Sequence, residues 1–61
     1  MTTYTITADG IDMGDYEGNT EAEAITAYVN DMGYATVAQA ADVLGKTEAE
    51  FLAEITVTEI N

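Results

Sequence analysis

The chain predicts a small α+β domain of order ββααβ, with a three-stranded, mainly antiparallel sheet and its helices on one face. Two observations carry this. Runs at both ends alternate threonine with apolar residues, the period of a half-buried strand. Two internal stretches instead repeat apolar residues at i, i+3, i+4 and i+7, each opened by a threonine and closed by a glycine, the signature of capped amphipathic helices. Helices grouped between strands pack most economically as one layer on a sheet. The 61 residues fit one domain, residues 1–61, with a marginal core.

Thr2–Ala8, TTYTITA, sets Tyr4, Ile6 and Ala8 on one face and Thr3, Thr5 and Thr7 on the other. Asp9-Gly10 is a two-residue hairpin signal. The return strand is Ile11–Glu17, IDMGDYE. Ile11 and Met13 share a parity that Tyr16 breaks, and a bulge at Gly14 would bring Tyr16 back to the inner face. Gly18-Asn19 leads into a helix over Thr20–Gly33, with the stripe Ile25, Tyr28, Val29 and Met32 and the capping pair Thr20 and Glu23. Thr36 and Gln39 open a second helix, striped by Val37, Ala40, Ala41 and Leu44 and ended by Gly45. Thr47 and Glu50 cap a single turn carrying Phe51 and Leu52, before a last strand, Glu54–Ile60. The first strand is expected at the centre of the sheet. The face away from the helices should carry threonines and carboxylates.

Charge is the outlier in the composition. Twelve carboxylates face one basic side chain, Lys46, for a net charge of -11. A chain of this length folds to a radius of gyration of roughly 10 Å, hence a diameter of about 27 Å. B-DNA of that length carries roughly 16 charges, about half on one face. The protein thus approaches the charge density that a DNA-binding groove receives. Self-repulsion on this scale costs stability, so a function that uses the charge gains weight over mere solubility.

Most chemistry lacks its parts. The sequence has no serine, cysteine, histidine or arginine, which removes the common nucleophiles, their bases and a guanidinium clamp. Paired carboxylates would need a cleft and a raised pKa. No enzyme is expected. An EF-hand count from Asp9 puts Gly14 at the sixth position but Ile11, Met13 and Thr20 where ligands belong, so no metal or other cofactor is expected either. Phosphate would be repelled, which excludes direct nucleic-acid binding. No apolar run has membrane-spanning length. The start, MTTYTIT, has no signal-peptide pattern, so a cytoplasmic protein is expected. Acidic Asp12, Asp15, Glu54 and Glu59 oppose strand pairing between copies, which favours a monomer.

The acids cluster. Asp9, Asp12, Asp15, Glu17, Glu21 and Glu23 fall in one stretch with no base among them, and they form the candidate partner-binding set. Glu21 and Glu23 also complement a helix N-terminus. With the hairpin stretch DGIDMGDYEGNTEAE, the chain resembles the small acidic anti-CRISPR proteins of phages and mobile elements, several of which mimic DNA. The resemblance implies an inhibitor in the host cytoplasm that occupies the basic DNA-binding groove of a CRISPR effector, where the PAM duplex is read. The alternative is an acidic structural or interaction domain whose target does not bind nucleic acid.

Overall fold

The computed structural model describes residues 1–60. The elements run β1 (Thr2–Ala8), β2 (Ile11–Gly18), α1 (Glu21–Asp31), α2 (Val37–Val43), α3 (Glu48–Ala53) and β3 (Ile55–Glu59). The sheet is antiparallel in the order β2-β1-β3, with β1 central. The α+β layer is therefore as expected. The turn after Thr47 is longer than the sequence suggested, a six-residue helix with both halves of a capping box in place.

Caps fix where the helices begin and end. The hydroxyls of Thr20, Thr36 and Thr47 accept the backbone N–H groups of Glu23, Gln39 and Glu50, satisfying donors that a helix start leaves without partners. At the C-termini of α1 and α2 the chain closes through a Schellman pair. Tyr34 N–H donates to Val29 C=O and Gly33 N–H to Asn30 C=O; Lys46 N–H donates to Ala41 C=O and Gly45 N–H to Asp42 C=O. Gly33 and Gly45 sit at φ of 100° and 75°, where a β-carbon is disfavoured.

The core forms between the sheet and the helix layer. Tyr4 and Ile6 of β1, Ala24, Tyr28 and Val29 of α1, Ala40 and Ala41 of α2, and Phe51 of α3 are buried. Tyr16, Ile25, Tyr34, Val37, Ile55 and Val57 pack against them. Ile6 is wholly buried because β1 is central, flanked by Gly14 and Val57 in the ladder. At the end of β2, a β-carbon on Gly18 would lie 2.9 Å from the backbone nitrogen of Ala24 and 2.8 Å from Cβ of Glu23. Glycine is what lets the start of α1 settle against the strand.

Three expectations of the core are corrected. Met32 is 38% exposed and Ala24 takes its place in the stripe; Met32 is the C-cap, where the chain already turns away. Leu44, the C-cap of α2, is exposed for the same reason. Ile11 and Met13 are exposed, Ile11 at 64%. An 11-residue helix spans about 16 Å and an eight-residue strand about 26 Å, so α1 cannot cover the whole hairpin and its tip is left open.

Val29 has no exposed surface. A buried, unpaired carboxylate there costs about 3–5 kcal/mol, against about 3–9 kcal/mol for a domain of this length. Val29→Asp should therefore abolish or nearly abolish cooperative unfolding by circular dichroism. Met32→Asp should melt close to the parent. The reverse order would refute the packing of α1.

Candidate functional site

The outer face of the sheet is set by one register shift. Ile6 pairs with Gly14, but Thr7 pairs with Asp12, leaving Met13 as the extra residue of a β-bulge. Gly14 accepts the geometry at φ 112°, a value that residues with a β-carbon rarely adopt. The carboxylate of Asp12 accepts the Gly14 N–H at 2.8 Å and so ties the bulge. The consequence is one of parity. Asp12 is even-numbered and Asp15 and Glu17 are odd, so in a regular strand they would point to opposite faces. With the extra residue, Asp12, Asp15 and Glu17 stand opposite Thr7, Thr5 and Thr3, all on the face away from the helices. Tyr16 is returned to the inner face, opposite Tyr4.

The face so formed is a carboxylate row beside threonine rows. Thr5 and Thr7 of β1 pair on their other side with Thr58 and Thr56 of β3. Consecutive positions of the row, set by Thr7, Thr5 and Thr3 opposite, are one pleat repeat apart, about 6.7 Å. The Thr5 hydroxyl donates to Asp15 at 2.8 Å, which orients that carboxylate. Glu17 is exposed.

The other three candidate residues lie elsewhere. Asp9 is in the hairpin turn at φ 51°. Its N–H donates to Glu54 C=O, which brings it towards Lys46. Lys46 pairs with the Glu54 carboxylate. That hydrogen bond, more than the charges of Glu54, Asp9 and Glu50, raises the lysine pKa above its ordinary value despite some desolvation. Asp9 thus lies within electrostatic reach of the one basic side chain of the molecule. Glu21 and Glu23 are in the first turn of α1, on the helix layer. Glu23 is partly committed, since its Oε1 accepts the Asn19 N–H at 2.9 Å. The six therefore divide into a coplanar trio, a turn residue beside a cation, and a helix-start pair. Among the described residues, no three acids converge as metal ligands, and no helix is long and apolar enough to cross a membrane.

Beneath the face, the Tyr16 hydroxyl donates to Asp31 at 2.8 Å, and its ring meets Tyr28 edge-on, with centroids 5.6 Å apart. This pin between β2 and the end of α1 holds the bulged strand on the helix. The bond to Asp31 raises the Tyr16 pKa, with burial adding to it. Burial raises that of Tyr28. The partnership joins residues 15 apart in the chain, and no local pattern announces it.

No family model matches the chain, and no curated protein or solved structure is significantly similar to it.

Two measurements follow from these charges. Lowering the Debye length from about 30 Å at 0.01 M salt to about 8 Å at 0.15 M should raise the melting temperature. A flat or falling trend would show that the carboxylates do not repel one another enough to matter. Alkaline titration is the second. The folded pKa values of Tyr16 and Tyr28 lie above the unfolded value of about 10, and that of Lys46 above its own reference. Their stabilisation is thus complete below about pH 10 and lost as pH rises through the folded values. Tyrosinate absorbance should lag that of free tyrosine, and Tyr16→Phe should remove part of the lag.

Proposed function

We propose that the protein is a non-enzymatic inhibitor of the anti-CRISPR kind, which uses its outer sheet face as a substitute for the DNA backbone in the basic groove of a CRISPR effector. The observation that supports this reading is the bulge-aligned row of Asp12, Asp15 and Glu17 on the uncovered side of the sheet. Nothing in the fold requires those side chains to be acidic. Asparagine at Asp12 could also accept the Gly14 N–H, and Glu17 caps nothing. In a domain that carries a net charge of -11, their charges add repulsion, while the hydrogen bonds that Asp12 and Asp15 accept could be accepted by an amide as well.

Geometry favours a phosphate-binding counterpart. Row positions about 6.7 Å apart are spaced like adjacent phosphates of one DNA strand, whose helical path sets them farther apart than their axial rise of about 3.4 Å per step. Arginine forks accept carboxylate and phosphate alike. The long axis of the molecule is 33 Å, the length of a duplex segment with roughly 19 charges, so the body is large enough to exclude DNA by occupancy. The partner in this reading is a basic, nucleic-acid-binding protein in the cytoplasm of the host cell, met by a monomer. Nucleic acid itself is not a ligand.

The test begins with capture of CRISPR effector complexes from a panel of types, followed by competition with a PAM-bearing duplex. For the captured effector, Asp12→Asn, Asp15→Asn and Glu17→Gln together keep every hydrogen-bond acceptor and remove three charges. At about 1 kcal/mol per pair, affinity should fall about a hundredfold. Asp31→Asn, Asp42→Asn and Glu59→Gln remove the same charge elsewhere and should have a much smaller effect. Equal losses would reduce the mechanism to diffuse net charge, and failure to compete with duplex for any effector would falsify the reading.

A further inference from the structure

A second surface is built differently. Between the first turns of α1 and α3 and the start of α2 lies a solvent-open cleft of about 320 Å³. Ala22, Ile25, Val37 and Leu52 supply its apolar lining, and Glu21 and Glu48 stand at it as carboxylates. Ile25 and Val37 are half-buried against the core, whereas Leu52 remains 41% exposed. The volume is at the lower end of ligand clefts, enough for one large side chain.

We infer that this cleft seats one large apolar side chain from a basic segment of a protein partner, with lysine or arginine on either side of that anchor meeting Glu21 and Glu48. Charge complementarity selects the occupant. Both titratable groups at the cleft are carboxylates, and the single basic residue of the chain is paired with Glu54. A neutral apolar segment would leave the two carboxylates partly desolvated without counter-charge. A second copy of this chain would bring further negative charge. A segment that is apolar at its centre and basic on both sides satisfies cleft and rim together, in the arrangement of a buried anchor with a polar surround. The inference rests on the reading that the partner is a basic protein, and it adds a contact on the helix layer that the sheet face does not supply.

The probe is a peptide with one tryptophan between pairs of lysine and arginine. The protein has no tryptophan, so indole emission reports the peptide alone. Emission should shift to the blue on saturable binding, and the methyl resonances of Ile25, Val37 and Leu52 should move. Leu52→Gln should weaken binding at least tenfold. So should Ala22→Met, which fills the cleft from an exposed helical position and decides the matter if Leu52→Gln does not fold. Glu21→Gln with Glu48→Gln should lower affinity several-fold and flatten its salt dependence. The variant neutralised at Asp12, Asp15 and Glu17 should keep the blue shift, so a failed sheet-face reading leaves this result standing. The inference is overturned if a peptide with alanine in place of tryptophan binds as well, if a folded Leu52→Gln or Ala22→Met variant binds like the parent, or if no blue shift occurs.

Discussion

The extra residue in β2 determines what each side of the sheet carries. A regular hairpin from Ile11 to Gly18 would have placed Asp12 and Tyr16 on one face and Asp15 and Glu17 on the other. Either Asp12 would then have turned inward with the tyrosine, or Asp15 and Glu17 would have faced the core in its place. Burying a carboxylate without a partner costs more than a domain of this size can spare. The bulge at Met13 and Gly14 resolves the conflict by changing parity between Asp12 and Asp15. It sends three acids outward and one aromatic inward in a single step. That aromatic then reaches Tyr28 and Asp31, which connects the register of the edge strand to the position of α1.

Against this stands the cost of charge. Ile6 and Val29 are the largest fully buried side chains, and much of the remaining core is alanine and tyrosine. The hydrophobic contribution of such a core is modest, and like-charge repulsion reduces the margin further. Local devices compensate. Three threonine caps and two Schellman closures fix the helix ends, each cap contributing about 1 kcal/mol. Several acids also serve the fold. Glu23 holds the Asn19 N–H, Glu50 completes a capping box, Glu54 binds Lys46 and Asp31 receives the Tyr16 hydroxyl. Asp12 and Asp15 accept hydrogen bonds within the hairpin as well, though an amide could accept the same bonds.

Much of the fold was legible because its signals are local. Threonine alternation gave the strands their faces, and threonine with glutamate or glutamine three residues on gave the helix starts. The bulge could be read from Gly14 and the misplaced Tyr16. What escaped depends on how far one element covers another. Met32 and Leu44 satisfy the helical period but sit at C-caps, where the chain has left the sheet. Ile11 satisfies the strand period but lies beyond the reach of α1. Ala24 falls outside the stripe read from the sequence, yet the close approach at Gly18 makes it a contact of the core. For the site, clustering in sequence grouped six acids that the fold separates, because a hairpin turn and a helix start lie outside the plane of the sheet face between them.

On the proposed reading, the two surfaces would ask different things of a partner. The backbone of the sheet face is fixed by ladders, and two of its carboxylates, Asp15 and Asp12, are held by Thr5 and the bulge. Charges held in place bind without first losing side-chain freedom, and they act at a distance to speed encounter. Such a face is suited to attracting a basic groove, but exposed ion pairs are weak and screened by salt. The cleft offers the opposite qualities. It is short-ranged and apolar, and burial of a large side chain is insensitive to screening. A small acidic protein that relied on the face alone would release its target as ionic strength rose. An apolar anchor on the helix layer would slow dissociation under the same conditions, so that charge governs capture and packing governs residence.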